Sequence, residues 1–417
     1  MKNLLLLSMI LIISGCASFG EGVTTAILKK QEKEDLRECR IDGKSFGGLQ
    51  ANFTESNHSV KLLMVHGVGT HIPSYSTQFQ EKLSEELGLD EMSSHYKEIQ
   101  LVNREYPEQD LGMLRIRRLL DKEQNRELIF YELTWSSITN RQKEKLKYDT
   151  SGAYSFRRAD VNQMLKVFSN DTSPDPMIYL GKYSQDIILA SFRTALCWMV
   201  GRGWDDLPRE SQEMCSLTQM AVEQHVKDQF AIVSHSLGSR IVMDGMQSIA
   251  RKLGKAEDGK FDQIKADFIA NFQKKKIPFY LMSNQLPLLE MGALPPEVVD
   301  QHDKYCVPGG EQYQQRMVAQ TSIIAFSDPN DLLSYAIPQQ FAQRRLDSRL
   351  CAEITNININ VAHVIDLFGM GKFANPLTAH TGYDSDDRVV ALIANGIDTE
   401  HTSDIVTERC EWTEYVD

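Results

Sequence analysis

No uninterrupted apolar run in this chain is long enough to cross a bilayer as a helix. The best candidate, residues 4–13 (LLLLSMILII), is only ten residues long. Positive charge is in deficit, with 45 Lys and Arg against 57 Asp and Glu and a formal net charge of −12. That balance argues against a nucleic-acid partner and against electrostatic docking on anionic lipid. Cysteine is scarce, seven in 417 residues, too few for a small disulfide scaffold, and no two stand at the CxxC spacing of zinc or redox sites. The histidines lack HExxH and HxxxH spacing, and Gly67-x-Gly69 lacks the third glycine of a dinucleotide fingerprint. The expectation is therefore no metal and no nicotinamide or flavin cofactor. Repeats and low-complexity tracts are absent too. What remains is an ordinary globular composition, 42% hydrophobic and 24% charged, with length for two or three domains or for one large α/β sheet.

The first twenty residues speak to compartment. Lys2 supplies a positive charge ahead of the apolar run, and Ile13-Ser14-Gly15-Cys16 follows it. This arrangement resembles the lipobox of bacterial lipoproteins. The resemblance implies a signal peptide at 1–15, cleavage before Cys16, a diacylglycerol on the Cys16 sulfur and an acylated amine; the other reading is an ordinary signal peptide with an incidental cysteine. Two or three acyl chains suffice for stable anchoring. Ala17 stands where many such proteins carry an Asp that retains them in the inner membrane, so the expected location is the outer membrane, periplasmic or surface-facing. The other six cysteines (39, 197, 215, 306, 351 and 410) permit three disulfides in an oxidising compartment, with buried free thiols as the alternative. Cys197 and Cys215 flank a polar, turn-rich stretch and are the expected pair.

Beyond a polar tether and edge element at 16–58, strands alternate with helices. Solid apolar runs at 60–65 (VKLLMV), 128–135 (LIFYELTW), 230–233 (FAIV), 277–282 (IPFYLM) and 321–326 (TSIIAF) read as buried strands. Ile357, Ile359 and Val361 alternate with asparagines, which reads as a last, half-buried strand at an edge. Such runs spaced by helix-length segments predict an α/β fold: a mostly parallel central sheet with helices on both faces. The segment 138–160, rich in Arg and Lys (Lys143 among them), reads as solvated surface or linker.

Chemistry-bearing residues fall at the ends of these strands. Ser234-His235-Ser236-Leu237-Gly238 lies between a strand and a helix whose stripe is Val242, Met246, Ile249 and Leu253. That is the setting of a nucleophile elbow, with Ser234 in place of the usual first glycine. A serine that merely caps the helix is the plain alternative. His66-Gly67-Val68-Gly69-Thr70 follows the 60–65 strand, where glycines expose backbone N–H groups; a plain turn is the alternative. Asp328 and Asp331 follow the 321–326 strand. Asp331, followed by two apolar residues, is the preferred acid, while Asp328 lies nearer the strand end and could shape the turn by an Asx bond. His380 follows the last of these strands and is the candidate general base.

The chain order Ser236, Asp331, His380 resembles that of α/β-hydrolases of the serine esterase or lipase type, and the resemblance covers residues from about 60 to 395. It implies an α/β-hydrolase fold over 59–417 and a Ser236–His380–Asp331 triad. The oxyanion would be held by the N–H groups of Leu237 and Val68. His235 is expected to pack beneath the elbow and His66 to orient the oxyanion loop. The stretch 138–216 could form an inserted helical cap. Within it, 177–200 is apolar but interrupted by Lys182, Asp186 and Arg193, so it reads as a helix packed on the sheet before a lipid-facing lid. Substrate expectations follow from anchoring and resemblance together: a lipid or acyl ester, with no protein partner indicated. The competing expectations are a binding or assembly module on the same fold, and an acyltransferase using the same triad.

Overall fold

The computed structural model describes residues 37–415, apart from 54–58, 90, 94, 104, 124, 151–158, 217–225, 255–262, 367–371 and 399. The expected signal peptide, Cys16 and most of the tether lie outside the described residues. In chain order the elements that position the site are β1 (Cys39–Asp42), β2 (Ser59–Val65), α1 (Thr77–Glu86), β3 (Lys97–Gln100), β4 (Met113–Asp121) and β5 (Arg126–Thr134). There follow four helices, α2 (Ser137–Lys143), α3 (Asp160–Thr172), α4 (Pro174–Leu180) and α5 (Lys182–Gly201). The second half holds β6 (Gln229–His235), α6 (Leu237–Gly254), β7 (Lys276–Met282), β8 (Gln320–Ser327), β9 (Ala352–Ile359), α7 (Pro376–Thr381), α8 (Asp387–Asn395) and β10 (Glu411–Thr413).

Among the described residues the central sheet has twelve strands, two of them the dipeptides Glu91–Met92 and Glu210–Ser211. Its order is β10-β1-β9-β8-β7-β6-β2-β5-β4-β3. The six strands from β9 to β5 are mutually parallel. Alternation splits β2 between two cores. Leu63 and Val65 join one cluster with residues of α5 and α6, while Val60, Leu62 and Met64 join another with residues of α1 and α8. A strand buried on both faces needs apolar residues at every position, which is why these segments are solid runs. Lys61 survives inside one by pairing with Asp228 at 2.6 Å and donating to the Arg202 carbonyl at 2.7 Å. The protein is thus α/β, with a large, mostly parallel sheet covered by helices on both faces.

Two local expectations change. The 352–359 strand is not an edge, because β1 pairs antiparallel with it and β10 lies beyond β1. The segment 138–160 is not all solvated surface: it contains α2, whose Lys143 is buried against Asp171 and Asp175. Of the suggested cap, α5 packs on the sheet, burying Ile188, Phe192, Ala195 and Met199. The antiparallel strands β3 and β4 have no counterpart in the sequence reading. Three disulfides tie the fold, Cys39–Cys410, Cys197–Cys215 and Cys306–Cys351. Among the described residues no helix is long and apolar enough to cross a membrane.

Register decides where the chemistry collects. Val65 is level with Ser234, and His235 with Met282, and Leu281 with Ala325. The turns that leave β2, β6, β7 and β8 therefore emerge together at the carboxyl edge of the sheet, where open parallel sheets place their ligand sites.

Candidate active site

Ser236 occupies the turn between β6 and α6 with φ +54°. A non-glycine residue in the left-handed region costs about 1–3 kcal/mol and persists only where its surroundings impose it. Here the Ser236 N–H donates to the Met282 carbonyl at 2.9 Å, and its own carbonyl accepts from the Ser239 N–H and hydroxyl. Tight approach explains the small neighbours. A Cβ on Gly238 would lie 2.5 Å from the Val65 carbonyl oxygen, and one on Gly67 2.7 Å from the Ser236 Cβ. The loop after β2 and the serine turn are thus in direct contact. Ser234, in place of the usual glycine, is fully buried within β6. Ser236 is 0% exposed, and its Oγ has no hydrogen-bond partner among the described residues.

His380 lies near the end of the short helix α7, which Asn375 caps by accepting from the Leu377 and Thr378 N–H groups. Its Nδ1 sits 3.0 Å from Asp331 Oδ1 and 3.1 Å from Oδ2. With a carboxylate on that side, Nδ1 carries the proton and Nε2 is left as the basic nitrogen. Asp331 Oδ1 also accepts from the Leu333 N–H at 2.9 Å, and Oδ2 from the Ser283 hydroxyl at 2.7 Å. Burial alone raises an acid, but His380 and these donors outweigh it and hold Asp331 below the usual carboxylate range. Asp328 has different employment. Its Oδ1 accepts from the Asn330 N–H and side-chain amide, and its Oδ2 from the Val361 and Ala362 N–H groups. It builds the turn, and no hydrogen bond joins it to His380 among the described residues.

Two residues hold the histidine and acid in place. His235 Nε2 lies 2.7 Å from the His380 carbonyl oxygen, its ring centroid 5.1 Å from that of His380. Burial, then the neighbouring His380, pushes the His235 imidazole down to about 3, so it stays neutral and donates. Ser283, fully buried with φ +48° at the end of β7, is the residue the sequence reading missed. Its hydroxyl gives its proton to Asp331 and meets His380 Nδ1–H at 3.0 Å as acceptor. A lone serine after a strand carries no motif. The available signal was its position one strand over from the elbow, level with it.

The loop after β2 is pinned by His66. The Trp135 N–H donates to His66 Nε2 at 3.1 Å, which puts the remaining proton on Nδ1, 2.8 Å from the Gly67 carbonyl. The ring is stacked between His71 and Trp135. Burial, reinforced by His71, drives its pKa well below the ordinary histidine value. Val68, partly buried, and Leu237, fully buried, flank the serine turn from the two sides. Beyond Val68 opens a cavity of about 940 Å³ between this loop and α3, with Met164, Val167 and Phe168 on its far wall. No residue of α3 is buried. Among the described residues no group of three or more His, Cys, Asp or Glu side chains is placed to hold a metal ion.

No family model matches the chain, and neither a curated protein nor a solved structure matches it.

Proposed function

We propose that this protein is a serine hydrolase that cleaves carboxylic esters through an acyl-enzyme intermediate, on a scaffold of the α/β-hydrolase kind. The observation that carries the reading is the ready-made Asp331–His380 pair on the same sheet edge as a strained serine turn. An imidazole with Nδ1 bound to a buried carboxylate has its tautomer fixed and its protonated form stabilised, which is what a general base for a hydroxyl requires. In the proposed reaction His380 Nε2 takes the Ser236 proton as Oγ attacks the acyl carbon. The Val68 and Leu237 N–H groups hold the oxyanion, and His380 then protonates the leaving alcohol. Water repeats the sequence to release the acid. The expected outcome is that Ser236→Ala abolishes hydrolysis of a short nitrophenyl ester and keeps the thermal transition. Undiminished turnover in that variant overturns the assignment.

One observation favours a second reading, a binding or assembly module on the same fold: Ser236 is fully buried and its hydroxyl is bonded to nothing. Catalytic hydrogen bonds are often loose without substrate, and a fluorophosphonate probe separates the two readings. Covalent labelling at Ser236 supports the hydrolase; a protein inert to the probe supports the module.

The same proposal includes location: a lipid on Cys16, outer-membrane anchoring, and a lipid or acyl-ester substrate reached by proximity. Its support is the Ile13-Ser14-Gly15-Cys16 motif after a short apolar run. Labelled palmitate incorporated by the wild type and lost in Cys16→Ser is the expected result; a soluble, unlabelled wild type refutes it.

A further inference from the structure

The Gly69–Thr70 stretch of the loop after β2 is held from outside the sheet. The Gly69 N–H donates to Asp175 Oδ2 at 2.7 Å. The Thr70 N–H donates to Asp171 Oδ2 at 2.9 Å, and its hydroxyl to Asp171 Oδ1 at 2.6 Å. Asp171 belongs to α3 and Asp175 to the first turn of α4. Lys143, the last residue of α2, reaches both carboxylates, at 3.3 and 3.1 Å, and the Asp171 carbonyl at 2.9 Å. Asp175 is 0% exposed and Lys143 7%.

Buried ion pairs contribute little net stability, because desolvation offsets their attraction. The convergence of carboxylates from α3 and α4 on two adjacent loop N–H groups, with Lys143 of α2 behind them, therefore calls for another account. Gly69 has φ +93°, and a Cβ there would stand 3.2 Å from Asp171 Oδ2. The backbone follows a course that suits glycine, and does so against these carboxylates. Val68, one residue upstream, carries the N–H that the hydrolase reading aims at the oxyanion. Two carboxylates this close would oppose a developing negative charge, and the Lys143 ammonium offsets them.

We propose that Asp175 and Lys143 are positioning residues for ester cleavage: with Asp171 they fix the Gly69–Thr70 peptides and so the direction of the Val68 N–H. The inference rests on the serine-hydrolase reading. The clamp is supplied by α2, α3 and α4, which lie between β5 and β6 in the chain.

The test is steady-state turnover of a nitrophenyl butyrate by the full chain. Asp175→Ala should lower kcat about tenfold to a hundredfold, below the full loss of an oxyanion donor, with KM within about threefold. Asp175→Asn, which keeps an acceptor for the Gly69 N–H, should recover most of that loss. Should Asp175→Ala not fold, Thr70→Val on the exposed rim serves, with kcat expected to fall about threefold or more at unchanged KM. Variants with kcat within twofold of wild type, or a loss that Asn does not rescue, overturn the inference while wild-type turnover leaves the hydrolase reading standing. A wild type without Ser236-dependent turnover removes both.

Discussion

On the hydrolase reading, replacing the two aspartates of the turn after β8 should separate catalysis from architecture. Asp331 Oδ1 accepts from the Leu333 N–H and lies 3.0 Å from His380 Nδ1, while Oδ2 accepts from the Ser283 and Tyr383 hydroxyls and lies 3.1 Å from the same Nδ1. In Asp331→Asn the new amide nitrogen is repelled from the Leu333 N–H and so takes the Oδ2 position, where Ser283 can turn to accept from it. The carbonyl oxygen then still receives His380 Nδ1–H, and the tautomer survives. What is lost is the charge on one hydrogen bond, about 1–1.5 kcal/mol as the difference between a charged and a neutral bond, or roughly tenfold in kcat at 1.36 kcal/mol per decade. Asp331→Ala loses the tautomer as well, and about 10⁴-fold is expected. Ser283→Ala combined with Asp331→Asn removes the partner that steers the amide and should approach the alanine value. Asp328→Asn sets an amide against at least one pair of N–H donors, at a cost of about 1–3 kcal/mol of stability, with kcat within about threefold. Nitrophenyl butyrate turnover and urea unfolding measure the two effects on the same preparations. If Asp328→Asn loses more turnover than Asp331→Asn, or Asp331→Ala stays within tenfold of wild type, the reasoning fails.

Two further outcomes concern stability. A histidine in the unfolded chain takes up its proton near 6.5, whereas the partly buried His235 does so only near about 3. Between those values the unfolded chain binds more protons, so stability falls as pH drops through this window. Thermal melts should show that slope, flattened in His235→Gln; parallel slopes count against it. The Cys39–Cys410 bridge spans a sequence separation of 371, and replacing both cysteines with serine should cost about 2–4 kcal/mol in urea unfolding while leaving ester turnover within twofold.

Legibility in the sequence followed the physics of burial. Strands flanked on both sides, such as β2, β6 and β8, are solid apolar runs and were readable within a residue or two. β4 was not, because Arg115, Arg117 and Arg118 interrupt its apolar positions, and Leu114 and Ile116 face one core while Leu119 faces the other, which leaves no clean alternation in a local window. The edge position expected for β9 depended on a pairing with β1, more than three hundred residues earlier. At the candidate site, Ser236, Asp331 and His380 drew notice from their places after strands; the fold brings Asp331 and His380 into contact and sets the Ser236 turn at the same sheet edge. Ser283 and Lys143 were not. The role of Ser283 comes from an acid 48 residues away and that of Lys143 from an aspartate 32 residues away, and neither distance leaves a mark on local composition.

The placement of β1 between β9 and β10 also sets the order in which the molecule can be completed. Its outward neighbour and its covalent partner are both supplied by the final stretch of polypeptide. β1 must therefore wait for a segment with a sequence separation of 371 before its hydrogen-bonding groups are fully matched, and such distant pairing is slow. During that interval an unpaired strand edge is open to adhesion by other chains. Oxidation of Cys39 with Cys410 must follow that pairing, so yield in a heterologous host should depend more on how the segment carrying β10 is handled than on anything near the serine turn.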